Sequence, residues 1–266
     1  MSSIQRSRRQ EIRITRPGCV SQNTQYPEIA LEIRLSDKDS RRLYEEIYTS
    51  TDIALSDSFY LWLINLFNLR EIDIYLDISC GHGQLTALAR QHGVSAYGLD
   101  LSLMSLKTAR ASARHYLTVG DSQNLPYGDD RFTVVSCIGS LEHYVNMQAA
   151  IAEMARVLKP GGRAFVLVPN TFSLLHNIWV AFRQGRTNID EQPIQRYMAR
   201  REWQKLIETK GLVVDKTIKY EIEIPRTGAD LLNLLGHPKR MLRLLVAPLV
   251  PLNLAFCFVF ICFKPR

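Results

Sequence analysis

Apolar runs of about seven residues alternate with helical patterns from residue 72 onward. This alternation predicts βαβ units and therefore a parallel sheet. Because the runs are almost continuously apolar, we expect a doubly wound α/β fold with helices on both faces of the sheet. The predicted strands are IDIYLDI (72–78), VSAYGLD (94–100), HYLTVGD (115–121), FTVVSCI (132–138) and RAFVLVP (163–169).

The alternation ends after residue 170. A polar stretch from Arg183 to Arg201 precedes a helix predicted over 202–211 and a strand predicted over 212–224. Residues 229–247 have an apolar pattern with helical spacing. The pattern therefore predicts that one more strand, near the end of the chain, completes the sheet beside 212–224.

The last apolar run has the length of a membrane anchor. Residues 244–262 form a run of nineteen residues, which is long enough to span a bilayer. Only Asn253 in this run is clearly polar. Pro248 and Pro251 interrupt the run, and a proline inside a helix costs ~3 kcal/mol or more. The part beyond Pro251 is rich in Phe, Val and Ile, so we predict a final strand over 254–263, paired antiparallel at the sheet edge.

The start of the chain is polar, with many Ser and Arg residues. We predict a basic, flexible arm over 1–38 and a single domain over 39–266. The first residues lack the apolar segment of a secretory signal, so we expect a cytoplasmic location.

The net charge of +7 admits nucleic acid, an anionic membrane surface or an anionic substrate as partners. The basic residues, including the cluster Arg196, Arg200 and Arg201, are not interleaved with aromatic residues and predict a solvated surface. None of the five cysteines belongs to a CxxC pair or a zinc-ligand set, so we expect no metal. Apolar neighbours predict reduced, buried thiols at Cys137, Cys257 and Cys262.

A turn of small residues, Asp77 to Gly83 (DISCGHG), follows the first predicted strand. Glycines there let the backbone approach a ligand, and the next helix directs its N-terminus at it. A dinucleotide fingerprint requires a third glycine where Thr86 stands, which disfavours an oxidoreductase. Asp77 would suit an ammonium group, and Asp100, at the end of the next strand, would suit ribose hydroxyls.

Four segments, in order and at the usual spacing, resemble the class I S-adenosylmethionine-dependent methyltransferases, in the group with the ubiquinone-biosynthesis enzymes. They are LDISCGHG, GLDLS, GDSQNLPYGDDRFTVVSCIGSLEHY and EMARVLKPGGRAFVLVPN, within about 72–170. The resemblance implies a seven-stranded sheet whose last strand is antiparallel, and S-adenosylmethionine (SAM) as cofactor. It implies that the cofactor is bound by Asp77, Ser79, Gly81, Gly83, Asp100, Leu101, Asp121, Ser122, Ile138 and Gly139.

Within that set, the family resemblance gives each end of the cofactor its own residues. Asp77 and the glycines would surround the amino-acid end, Asp100 the ribose, and Asp121 with Ser122 the adenine. Ser79 stands where the family usually has glycine, and a serine fits this turn if its φ is negative.

The catalytic residues stay open at this stage. Methyl transfer from a sulfonium relies mainly on alignment, which supplies up to ~7–11 kcal/mol in well-oriented cases. A general base helps only where the acceptor loses a proton. His143 and Tyr144, after the fourth strand, are candidates for that base or are structural, and His176 and Tyr197 are further ones.

The acceptor is expected to be a small or lipophilic molecule bound under residues 170–201, an insertion on the acceptor side. Nucleic acid is disfavoured because Gly139–Glu142 lacks the Asn/Asp-Pro-Pro motif of amino-methylating enzymes, and no Pro-Cys dipeptide occurs. An RNA methyltransferase and a non-catalytic SAM-binding subunit stay as alternatives. Residues 229–250 could contact a membrane surface, and the sequence leaves the oligomeric state open.

Overall fold

The centre of the molecule is a sheet of seven strands. The computed structural model describes residues 31–34, 55–109, 111–188 and 192–266, with the side chains of 31–34 and 111–112 left out. The strands in the described residues are β1 (Leu31–Arg34), β2 (Ile74–Ile78), β3 (Ser95–Asp100), β4 (Leu117–Val119), β5 (Phe132–Ile138), β6 (Leu158–Pro169), β7 (Ile194–Tyr197), β8 (Val213–Tyr220) and β9 (Cys257–Phe263).

The strand order in the large sheet is β4-β3-β2-β5-β6-β9-β8. Strands β2 to β6 pair in parallel, whereas β9 runs antiparallel to both of its neighbours, β6 and β8. This confirms the predicted α/β fold and the antiparallel last strand, which spans Cys257–Phe263 instead of the predicted 254–263.

Helices cover both faces of this sheet, because alternate residues of each buried strand point to opposite sides. Val166 of β6 packs in a cluster with the helices at 147–157 and 200–208, and Phe165 packs in the other cluster with the helices at 57–67 and 84–91. The helices are α1 (Asp57–Phe67), α2 (Gln84–Gln91), α3 (Leu103–Lys107), α4 (Ala111–Arg114), α5 (Met147–Val157), α6 (Trp179–Gln184), α7 (Arg200–Glu208), α8 (Gly228–Leu235) and α9 (Pro238–Val246).

The stretch predicted as one helix over 229–247 is two helices. Helix α8 ends before Gly236, and Pro238 occupies the first turn of α9, where proline is well tolerated. Short 3₁₀ turns at Ala247–Leu249 and Leu252–Leu254 then lead into β9. Among the described helices, none is both long enough and apolar enough to cross a membrane.

A second, two-stranded sheet joins parts of the chain that the sequence pattern treated as loop. Leu31–Arg34, inside the predicted flexible arm, pairs antiparallel with Ile194–Tyr197, inside the predicted polar stretch. The rest of the arm lies outside the described residues. Contrary to the expectation of a solvated surface, Arg196 is fully buried. Nη1 of its guanidinium donates to the backbone carbonyls of Glu142 and Tyr144, which gives the buried charge polar partners.

Candidate active site

A cavity of about 410 Å³ opens at the carboxyl ends of β2, β5 and β6. Ligands of doubly wound sheets bind at this edge, beyond the ends of the strands. Asp77, Ser79 and Gly81 form part of its wall on the β2 side, and Ile138 and Gly139 do so after β5. The opposite wall is formed largely by the segment that follows β6, together with residues at the start of α1 and just before β9.

The turn after β2 is held in left-handed backbone conformations. The φ angles are 58° at Ser79, 52° at Gly81 and 71° at Gly83. The condition of a negative φ at Ser79 is therefore not met, and this conformation costs a non-glycine residue roughly 1–2 kcal/mol. The Ser79 hydroxyl lies 2.7 Å from the Tyr144 hydroxyl and 3.2 Å from that of Ser122, which offsets part of the strain.

Asp77 is a nearly inaccessible carboxyl group that lines the cavity. The Ser136 hydroxyl donates to Asp77 Oδ1 over 2.7 Å, and the Tyr75 hydroxyl lies 2.6 Å from Ser136 Oγ. Burial raises the pKa of Asp77 to about 7, although these hydrogen bonds lower it. A cationic group in the cavity would favour the ionised form of this carboxyl.

The other predicted cofactor residues lie beside this cavity rather than on its wall. The two carboxylate oxygens of Asp100 accept hydrogen bonds from the backbone amides of Gly81, over 2.8 Å, and Ser102, over 2.9 Å. Burial raises the pKa of Asp100. Asp121 is exposed. The predicted residues that are not among the described lining residues are Gly83, Asp100, Leu101, Asp121 and Ser122.

His143 lines the cavity, in a 3₁₀ turn that follows β5. Its Nδ1 lies 2.6 Å from the backbone carbonyl oxygen of Ile194 on β7. Because a carbonyl oxygen can only accept, Nδ1 must carry the proton in this contact. Nε2, which is 3.8 Å from Glu142 Oε1, is then the nitrogen that can accept a proton.

The environment of Tyr144 differs from that of the adjacent His143. Its hydroxyl contacts Ser79 and lies 3.3 Å from Cys137 Sγ, and Tyr144 is not among the described residues that line the cavity. Burial raises its pKa well above 10. This placement supports the turn after β2 and argues against Tyr144 as the proton acceptor.

The wall opposite the glycine turn is rich in polar side chains, of which the sequence had singled out only His143, His176 and Tyr197. His176 Nε2 lies 2.9 Å from Asn188 Nδ2, and the His176 ring packs edge-on against Phe256 at 5.0 Å between centroids. Gln195 is buried, and its Oε1 has no hydrogen-bond partner in the described part of the chain. The polar lining residues on this side are Glu142, His143, Asn170, Ser173, His176, Asn177, Asn188, Gln192, Gln195 and Tyr197.

The cysteines are buried and free at all four positions that the structure describes, as predicted for Cys137, Cys257 and Cys262. Burial raises the pKa of Cys137 to about 12, so its thiol stays protonated. Within the described ranges, no group of three or more His, Cys, Asp or Glu side chains could hold a metal ion.

Comparison with known proteins agrees with the fold and with the sequence resemblance. Residues 76–166 match a family model described as a methyltransferase domain. These residues contain β3 to β5, most of β2 and β6, and the turns at Asp77 and Gly139. This part of the chain is therefore similar to a methyltransferase domain, in agreement with the four sequence segments.

The sequence similarity to individual relatives covers about a third to two fifths of this chain. Methyltransferase GfsG of Streptomyces halstedii is 38% identical over 96 residues, which are 33% of this chain and 34% of the relative. The 27-O-demethylrifamycin SV methyltransferase of Amycolatopsis mediterranei is 34% identical over 124 residues, 42% of this chain and 46% of the relative. The chain thus spans less than half the length of these relatives.

The fold extends further than the sequence similarity. The solved structure of the [4+2]-cyclase SpnF is 18% identical and has a TM-score of 0.56, over 81% of this chain and 86% of that chain. Since a cyclase shares this architecture, the fold alone does not determine the reaction.

Proposed function

We propose that this protein transfers the methyl group of SAM to an oxygen or nitrogen atom of a small molecule. The observation that carries the proposal is that one cavity joins the Asp77 turn to the His143 side chain. A donor bound at the turn and an acceptor bound near His143 would meet in the same enclosed space. Alignment of this kind is the main requirement of an in-line displacement.

The residues at the turn fit the cofactor. Asp77 is a buried carboxyl that a cationic ligand would ionise, and Gly81 and Gly139 carry no side chain into the cavity. When bound, the cofactor supplies an activated methyl group. We propose Asp77, Ser79, Gly81, Ile138 and Gly139 for its amino-acid end and its reactive end.

The remaining cofactor residues stay a prediction from the family. Asp100 would accept from the ribose hydroxyls, and Asp121 and Ser122 would hold the adenine. Each carboxylate oxygen of Asp100 already accepts one backbone hydrogen bond, but a carboxylate has about four acceptor positions. Asp100 can therefore accept hydrogen bonds from the ribose hydroxyls while it keeps those from the backbone amides of Gly81 and Ser102.

His143 is the proton acceptor in this proposal. The carbonyl of Ile194 fixes the tautomer, so that Nε2 is available to take a proton from an acceptor hydroxyl or amine. The polar wall of amides and hydroxyls supports an acceptor that carries hydrogen-bonding groups of its own. No described feature favours RNA, and the cytoplasmic location stays a prediction.

The test compares His143→Gln with the wild-type protein. We expect calorimetry to show the same SAM affinity for both, and no saturable binding of NADH to either. With isotope-labelled SAM and a small-molecule extract of the source cells, the variant should transfer at least about 100-fold less label, because a general base contributes 10²–10⁴-fold.

His115→Gln, at an exposed position before β4, is the matched control and should transfer label at the wild-type rate. Absence of saturable SAM binding by the wild-type protein would refute the methyltransferase proposal itself. Normal transfer by His143→Gln would refute only the role of His143.

A further inference from the structure

Two arginines of helix α9 contact the body of the protein. Arg243 lies 3.8 Å from Glu221 and stacks on Phe256 at 4.5 Å from the ring centroid. Arg240, on the same helix, lies 3.5 Å from Glu223. These contacts fix the rotation of the helix about its axis.

Two leucines of α9 and one in the turn that follows it consequently face outward. Leu242 is 63% exposed, Leu245 is 74% exposed, and Leu249, in the 3₁₀ turn that follows, is 79% exposed. Positions three and seven residues apart lie on one side of a helix. A surface helix in water normally has the opposite arrangement, with its apolar side toward the core. The neighbouring helix α8 adds the exposed side chains of Leu231, Leu232 and Leu235.

We propose that this α8–α9 face, formed by Leu231, Leu232, Leu235, Leu242, Leu245 and Leu249, binds the surface of an anionic phospholipid bilayer. An exposed apolar patch of this kind marks an interaction surface. The α8 and α9 helices are short and are separated by the break at Gly236 and Pro238. They therefore suit a position in the plane of the interface, with the leucines in the acyl boundary.

The charges around the face favour lipid over a second copy of this chain. Residues 221–250 contain four Lys or Arg residues and three acids, Glu221, Glu223 and Asp230. The exposed charged residues in this range are all basic: Arg226, Lys239 and Arg240. Glu221 and Glu223 lie beside Arg243 and Arg240 and are not exposed. The Asp230 carboxylate accepts from the backbone amide of Ser58 and is thus directed into the protein. An anionic surface attracts this excess of positive charge, whereas a second copy, with its own net charge of +7, repels it.

Helix α9 adjoins the cavity through its inward side. Phe256 lines the cavity, and it contacts both Arg243 of α9 and His176 of the opposite wall. Binding of α9 to a bilayer would therefore hold the acceptor side of the cavity close to the lipid.

Sedimentation of the full-length chain with vesicles tests this proposal. We expect it to bind vesicles of phosphatidylcholine and phosphatidylglycerol in equal parts, and to bind pure phosphatidylcholine much less. High salt should weaken the binding, because it screens the lipid charge. The double variant Leu245→Glu, Leu249→Glu should lose at least about tenfold in vesicle affinity, since it places two acids at the lipid boundary.

Ile72→Glu is the matched control, because Ile72 is also 74% exposed but precedes β2, far along the chain from α9. It should bind vesicles as the wild-type protein does. Circular dichroism and SAM binding show whether the double variant is folded. Equal vesicle binding by the double variant and the wild type would overturn the proposal. The proposal would also be overturned if the wild-type protein did not bind vesicles. It would be overturned as well if the wild type were a dimer and the double variant a monomer.

Discussion

Asp77, which we propose to bind the cofactor, is a residue whose burial lowers the stability of the folded protein. The residue sits at the carboxyl end of a buried strand, and its hydrogen bonds to Ser136 only partly offset the cost of burial, so its pKa lies at about 7. Between the usual pKa of 3.8 and this value, the folded state keeps a proton that the unfolded state has lost. The free energy of unfolding therefore falls as the pH rises from about 4 to about 7.

Asp77→Asn should separate the effect of this carboxyl on stability from its effect on SAM binding. The amide has nearly the same volume and does not ionise, so we expect the variant to be more stable than the wild type above pH 7. The difference should shrink as the pH falls toward 4. A gain of 1 kcal/mol corresponds to about 2–4 °C in Tm for a chain of this size. SAM affinity should fall at least about tenfold, because a charge-assisted contact contributes roughly 1.5–3 kcal/mol.

Thermal unfolding at pH 4.5 and pH 8, together with SAM calorimetry at pH 8, provides the measurement. Asp129→Asn is the control, since Asp129 is largely exposed beside Arg156 and should change SAM affinity little. If Asp77→Asn were less stable than the wild type at pH 8, the carboxyl would be ionised and stabilising in the folded protein, contrary to this account.

The residues around Asp77 also show the limit of reading single residues from sequence. The placement of Asp77 and Gly81 beside a cavity followed from the strand end and the small residues, and that of Gly139 from the family resemblance. The positive φ at Ser79 did not, because it depends on two hydroxyl groups, on Ser122 and Tyr144, that are distant in sequence.

At the scale of elements, β7 connects the acceptor side of the cavity to the turn after β5. Its Ile194 carbonyl accepts from His143, and its Arg196 donates to the carbonyls of Glu142 and Tyr144. The 3₁₀ turn Leu141–His143 is therefore held from outside by a strand more than fifty residues further along the chain. Arg196 is a positioning residue in this arrangement, because its contacts are with the backbone of the turn.

Arg196→Met should destabilise the protein by about 2–4 kcal/mol. Methionine replaces most of the volume but leaves two carbonyl groups without a charged donor, and hydrogen bonds to charged groups contribute ≈ 1.5–3 kcal/mol each. In urea unfolding the midpoint should fall while the slope stays constant.

Arg201→Met removes the same charge at an exposed position and should stay within about 0.5 kcal/mol of the wild type. A change of equal size in both variants would show that the lost charge, rather than the buried contacts of Arg196, was responsible.

The elements divide clearly into those that sequence patterns predict and those that they do not. Strands β2, β5 and β6 were found because their apolar runs are long and end at recognisable turns. Strand β7 was not predicted, because its four residues, two of them polar, are too few to show a periodic pattern. Its burial is determined by β1 and by the turn after β5, and these partners are visible only once the chain is folded.

For the whole molecule, the last strand in the sequence is an interior strand of the sheet. Strand β9 pairs with β6 on one side and with β8 on the other, so the sheet beyond β6 depends on it. Phe258 and Phe260 are both fully buried, with ring centroids 6.0 Å apart. The apolarity that made residues 244–262 resemble an anchor thus serves, in β9, the core of the domain.

Phe260→Ala should therefore destabilise the whole domain in a single cooperative transition. Removal of a buried phenylalanine side chain costs about 3–5 kcal/mol, against a total stability of roughly 5–15 kcal/mol for a natural protein. Calorimetry should show a large fall in Tm for one transition rather than early loss of a separate C-terminal unit. Phe182→Ala is the matched control, because Phe182 is 79% exposed, and it should leave Tm nearly unchanged. A wild-type Tm in Phe260→Ala would mean that β9 is not part of the cooperative core, and the sheet order described above would then be wrong at its antiparallel edge.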